Sequence, residues 1–179
     1  MKKIFILFFI IITSVLMIMS CSSSEKSEKP KTNLETTAGN STADGLVFNA
    51  YDLDGNYRSS SEFAGKPLVV NIWGTWCPPC RMEMPALQKI YDEYKPKGLE
   101  VIGLATEKRP NSQDAVKSFV EQNGYTWVMW MADNNNKAAL GLGGGVPFTV
   151  FIDREGNVVH KHTGLMQYSQ FKEYVDKII

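Results

Sequence analysis

The chain of 179 residues predicts an α/β domain built on a mixed β-sheet. Three observations carry that prediction. LVVNIW (Leu68–Trp73) and LEVIGLA (Leu99–Ala105) are unbroken, β-rich apolar runs, the pattern of strands covered on both faces. The segments between the strand-like runs have helical spacing, so strands and helices alternate. The last two strand-like runs, FTVFID and VVHKHT, are joined by the short turn Arg154-Glu155-Gly156-Asn157, which makes that part of the sheet antiparallel.

The elements follow in order from Leu46. LVFNAYDLDGNYRSS reads as two short strands around Asp54-Gly55, a hairpin signal. After the strand LVVNIW, Pro78 to about Tyr94 is helical, with Met84, Leu87, Ile90, Tyr91 and Tyr94 largely on one side. Pro85 within it removes a backbone hydrogen bond and predicts a kink. LEVIGLA is the next strand, and Ser112 is placed to cap a helix reaching about Gln122. TWVMWM is a strand, Asn136–Leu140 a short helix closed by glycines, and Tyr168–Ile179 a final helix.

Ahead of this domain lie two segments of other kinds. Met1, Lys2 and Lys3 precede the apolar run Ile4–Met19, broken by Thr13 and Ser14, which is the layout of a signal peptide. Its end, IMSC (Ile18–Cys21), resembles a bacterial lipobox, and the resemblance implies cleavage before Cys21 and acylation of Cys21. The alternative is an uncleaved anchor, but about 16 apolar residues fall short of the ~20 that a span needs. Both readings leave the domain tethered to a membrane and outside the cytoplasm. Residues 1–20 are therefore expected to be a lipoprotein signal peptide, 21–45 a polar linker tethered at Cys21, and 46–179 the folded domain. Ser22–Gly45 is rich in Ser, Thr, Lys and Glu and has too little apolar surface to fold. As a flexible tether its roughly 24 residues reach ~27 Å.

The charge balance excludes a nucleic-acid binder. Lys and Arg number 19, as do Asp and Glu, so no basic surplus exists for phosphate contacts. Loss of Lys2 and Lys3 with the signal peptide leaves 17 basic residues against 19 acidic ones, a net charge of −2. Three cysteines are too few for a disulfide scaffold.

Two of them, Cys77 and Cys80, form a Cys-x-x-Cys directly after a buried strand and at the start of a helix. Free N–H groups and the positive end of the helix dipole stabilise a thiolate there. Cys77 is thus the candidate nucleophile, and Cys80, one turn on, the group that resolves the mixed disulfide. A structural zinc site would need a second ligand pair, and the chain has no other Cys pair. A merely structural disulfide across two residues closes almost no loop and stabilises little. The intervening residues, Pro78 and Pro79, cost the first helical turn nothing, because its N–H groups lack helical partners. They also withhold two donors from the Cys77 sulfur. A less stabilised thiolate favours the disulfide at equilibrium, so the pair is expected to act as a reductant.

NIWGTWCPPCRMEMP, with the leading DLDGN, AGKPLVVNIW, GVPFTVFID and DREGNVV in that order, resembles the ResA/TlpA group of membrane-tethered thioredoxin-like thiol–disulfide oxidoreductases. The resemblance covers about Leu46–Ile179. It implies a thioredoxin-like fold with an N-terminal β-hairpin and the group's insertion around Asn111–Met131. It places Val146-Pro147 at the family's cis-proline, beside the cysteines, where backbone hydrogen bonds hold a substrate strand. Trp76, Pro78 and Pro79 complete the expected substrate-binding surface. The position of thioredoxin's buried Asp is taken here by Asn71, which cannot accept a proton. Glu83, three residues after Cys80, matches an acidic residue of the ResA-type motif. It is either the base that Asn71 is not, desolvated and with a raised pKa, or an exposed first-turn residue favoured by the dipole.

The resemblance also implies partners: a membrane electron donor of the CcdA/DsbD kind, and disulfide-containing clients such as apocytochrome c or an extracytoplasmic methionine sulfoxide reductase. No cofactor is expected beyond the Cys77–Cys80 disulfide, and no metal. Other readings are weaker. His160 and His162 alternate on one side of a strand, which with the cysteines admits a copper chaperone, but copper-handling relatives on this fold use a Cys-x-x-x-C spacing. Peroxiredoxins place Thr three residues before their reactive Cys, where this chain has Gly74. A disulfide-making oxidase is separated by its reduction potential. Gly141, Gly143, Gly144 and Gly145 lack the Lys of a phosphate loop and lead instead to Pro147.

Overall fold

A computed structural model of the protein describes residues 45–109 and 112–179. The expected signal peptide, Cys21 and linker residues 22–44 lie outside the described residues, as does Asn111 at the start of the expected insertion. No helix among the described residues is long and apolar enough to cross a membrane.

Seven strands form one sheet: β1 (Asn49–Asp52), β2 (Tyr57–Ser59), β3 (Leu68–Trp73), β4 (Glu100–Ala105), β5 (Val128–Met131), β6 (Phe148–Ile152) and β7 (Val158–Thr163). Their order across the sheet is β2-β1-β5-β4-β3-β6-β7. β3 pairs in parallel with β4 and antiparallel with β6, and β4 pairs in parallel with β5. The two hairpins, β1–β2 and β6–β7, supply the edges. The first hairpin turn is set by Asp52, whose carboxylate accepts the N–H groups of Asp54 and Asn56 at 3.0 and 2.8 Å, with Gly55 at φ 84°.

The central strand sorts its side chains by alternation. Leu68, Val70 and Ile72 face a core with Trp130, Leu140 and Phe148. Val69 and Trp73 face the other core, together with side chains of α1 (Pro78–Tyr94), α2 (Gln113–Asn123) and α4 (Tyr168–Val175). The side chains that α1 contributes are Met84, Leu87, Ile90, Tyr91 and Tyr94, the apolar side expected from its spacing. α3 (Asn134–Leu140) packs Leu140 on the opposite face. Asn71, between Val69 and Trp73, shares their face and therefore points toward α1.

Some boundaries differ from those expected. Ser112 occupies the N-cap position of α2 without capping it: its hydroxyl donates to the Arg109 carbonyl at 2.6 Å. α3 starts two residues early because Asp133 and Asn136 form a reciprocal capping box. α4 stops at Val175, where Lys177 and Ile178 donate to Tyr174 and Val175 and tighten the end into turns. α1 runs on through Pro85 as one helix.

At its start the described chain is fastened to the β6–β7 turn. The Leu46 N–H donates to the Gly156 carbonyl at 3.1 Å, and a Cβ on Gly45 would lie 2.8 Å from Gly156 Cα. This crossing sits beyond Ile152, which pairs with Leu68 at the beginning of β3.

Candidate active site

β3 delivers the chain to the site at its C-terminal end, and a short tight segment turns it into α1. Gly74 is needed in that segment: a Cβ there would lie 2.6 Å from Trp76 Nε1 and 2.8 Å from the Thr106 carbonyl oxygen. Gly74→Ala is expected to destabilise the fold by about 1–3 kcal/mol through this overpacking, read as a lower midpoint in urea unfolding. The segment after β4 clamps the turn. Glu107 accepts from the Thr75 N–H and hydroxyl at 2.8 and 2.9 Å, and Trp76 Nε1 donates to the Thr106 carbonyl at 2.8 Å. The Trp76 ring itself stays 43% exposed.

Cys77 is the N-cap residue of α1, in extended conformation, and is joined to Cys80 by a disulfide with the Cα atoms 5.3 Å apart. Its sulfur accepts the Cys80 N–H at 3.2 Å. Pro78 and Pro79 fill the first two helical positions, so Cys80 supplies the single N–H of the first three positions. On its other side Cys77 Sγ lies 3.6 Å from the Val146 carbonyl oxygen, an acceptor for the thiol once the pair is reduced. The Val146-Pro147 peptide bond is cis. Both cysteines are buried, Cys77 at 2% exposure. The surroundings thus give the Cys77 thiolate little and its protonated form an acceptor.

Glu83 is 1% exposed, which overturns the reading of it as a surface first-turn residue. It lies one turn after Cys80, on the side of α1 that faces Asn71. Asn71 Nδ2 donates to its carboxylate at 2.8 Å and to Thr149 Oγ1 at 3.0 Å, and the Met166 N–H donates to the other carboxylate oxygen at 2.9 Å. These two donors favour the carboxylate, but burial disfavours it more, and the pKa is pushed up to about 7. Glu83 is thus able to give and take a proton near neutrality, beneath the dithiol.

The structure brings Trp76, Cys77, Pro78, Pro79, Cys80, Val146 and Pro147 to one end of the sheet, with Glu83 below them. His160 and His162 are elsewhere, on edge strand β7. His160 stacks on Tyr174 at 3.7 Å and 5°, and burial holds its pKa below the usual value. Among the described residues, no three His, Cys, Asp or Glu side chains are arranged to hold a metal ion. Sequence reasoning missed Thr149, the Met166 N–H, Glu107 and Lys108, whose Nζ lies 4.1 Å from the centre of the Trp76 ring. A signal for Thr149 exists: it is the polar residue inside the apolar run FTVFI, and it pairs in register with Asn71.

Comparison with known proteins agrees with this geometry. The Redoxin family model matches residues 35–178. The chain is 36% identical over 128 residues to the thiol–disulfide oxidoreductase ResA of Bacillus anthracis, covering 71% of this chain and 72% of that relative. It is 32% identical over 149 residues to ResA of Geobacillus thermodenitrificans, covering 82% of each. Among solved structures, a thiol:disulfide interchange protein of the thioredoxin family from Chlorobium tepidum superposes with a TM-score of 0.67 at 26% identity, over 79% of this chain and 99% of that one.

Proposed function

Given that this chain belongs to the ResA-type thiol–disulfide oxidoreductases of the Redoxin family, we propose that it works in the reducing direction, outside the cytoplasm, on disulfides of protein clients. The Cys77 thiolate attacks one sulfur of a client disulfide. A bond forms between that sulfur and Cys77, and the other client sulfur leaves as a thiolate and takes up a proton. Cys80, deprotonated by Glu83, then attacks Cys77 Sγ. The second client thiolate is released and protonated, and the Cys77–Cys80 disulfide closes. Two electrons and two protons pass to the client in each cycle. A membrane dithiol protein of the CcdA/DsbD kind returns the pair to its reduced form.

The observation that carries the direction is the poverty of donors at Cys77. Two of the three first-turn positions are prolines, and on the far side the sulfur meets a carbonyl oxygen at 3.6 Å. A strong oxidant owes its potential to a stabilised reduced form, and here little stabilises the thiolate. The finer assignments come from the family resemblance and from the N-terminal segment: apocytochrome c before haem attachment as client, a methionine sulfoxide reductase as the second client class, and a lipid anchor at Cys21.

The test is an equilibrium titration of the Cys77–Cys80 pair against dithiol buffers. The expected potential lies nearer the reductant range of about −270 mV than the oxidant range of about −120 mV. A value near the oxidant range, or a Cys77 pKa near 4, would overturn the reading.

A further inference from the structure

Two cations flank the dithiol, each resting on an aromatic ring. The Arg81 guanidinium lies 5.6 Å from the centre of the Phe119 ring, and Lys108 Nζ lies 4.1 Å from that of Trp76. Both cations are on exposed residues. Among the described residues, neither is within ion-pair distance of a carboxylate. The acidic residues nearest to them in sequence are engaged elsewhere: Glu83 is buried against Asn71 and Met166, and Glu107 accepts both donors of Thr75.

Beside Cys77 there is also a shallow groove of about 360 Å³, lined by Pro78, Arg81, Met82, Pro85, Phe119, Asn123 and Tyr125. Pro78, Met82 and Pro85 recur at helical spacing along α1, away from the face that packs on the sheet. Met82 is 70% exposed and lines the groove, so its apolar side chain is available to whatever enters. Two prolines and two aromatic rings make most of the wall stiff, so little conformational entropy is lost when something fills it. The wall begins at Pro78, the residue next to the attacking sulfur. Whatever sits in the groove is therefore continuous with the segment that presents its disulfide to Cys77.

We propose that this groove seats an aromatic or large aliphatic side chain of the protein client, with carboxylates of the same segment pairing with Arg81 and Lys108. The preferred client is then an acidic segment with one bulky apolar residue within a few positions of its cystine. The inference rests on the reductase reading for the existence of a client, and it adds which client is chosen.

Four synthetic peptides test it, each closed by the same internal cystine. Their flanks combine Trp or Ala with two Glu or two Lys. Rate constants are measured for the reduced full-length protein in detergent with each peptide. The Trp–Glu peptide is expected to react about tenfold faster than the Ala–Lys peptide, since each contact contributes a few-fold. Arg81→Glu should bring the Glu-over-Lys ratio to one or below, and Phe119→Ala should bring the Trp-over-Ala ratio toward one. Because the readouts are ratios within each variant, a general loss of activity does not imitate them. If all four peptides react equally in the wild type, the groove assignment is wrong while the reductase reading stands. If no peptide is reduced, the reductase reading falls and the groove falls with it.

Discussion

Cys80→Ala is expected to turn the protein from a catalyst into a covalent trap. Cys77 keeps its place at the start of α1, and attack on a client disulfide proceeds as before. The second step has lost its nucleophile. A thiol held one turn away acts at a very high effective concentration, and replacing it with thiols from solution slows release by about a thousandfold or more. The mixed disulfide should therefore accumulate and survive non-reducing electrophoresis, and mass spectrometry of the adduct identifies the client. An adduct with an apocytochrome c would support the first client class, and one with a methionine sulfoxide reductase the second. The Cys77→Ala/Cys80→Ala protein serves as control and should hold nothing. Sustained turnover by Cys80→Ala, or an adduct that forms through Cys80 in Cys77→Ala, would reverse the assigned roles.

Glu83→Gln is expected to change two pH profiles at once. The carboxyl is shifted upward on folding, from 4.5 to about 7. Between those values the folded state holds a proton that the unfolded chain has released, so raising the pH costs stability. The contribution is fully present below the unfolded value and is lost as the pH rises through about 7. The total loss is about 3 kcal/mol. Denaturant unfolding between pH 5 and pH 8 should show the wild type weakening and the Gln variant lacking that component. The reactivity profile is the second readout. If Glu83 takes the Cys80 proton, resolution of the mixed disulfide in the wild type has an inflection near neutrality that Glu83→Gln removes. An unchanged reactivity profile would leave Glu83 with a structural role alone.

What could be read from the sequence, and what could not, divides by distance along the chain. Cys77, Cys80 and the two prolines were legible because their chemistry is local: four residues, one helix start and one preceding apolar strand contain it. The alternation within β3 and the apolar side of α1 were legible for the same reason. The setting of Glu83 was not. Whether that carboxyl is in water or buried depends on Asn71, 12 residues away, and on the Met166 N–H, 83 residues away. The clamp on the Thr75 turn likewise comes from Glu107, 32 residues on. A pattern in one helix places Glu83 at a position; only the packing of β3, α1 and the segment before α4 decides its proton affinity. The capping error at Ser112 is of another kind. The residue type suits a cap, but its hydroxyl found the Arg109 carbonyl first.

The glycine crossing at Gly45 and Gly156 has a consequence for orientation. β3 begins near that crossing and ends at the dithiol, so the polypeptide enters the domain at one pole and does its chemistry at the other. Gly45 and Leu46 are therefore held at the end of β3 opposite Cys77, clear of whatever docks on the dithiol. A client being reduced and a partner returning electrons would meet Cys77 from that same open side, and so would take turns there.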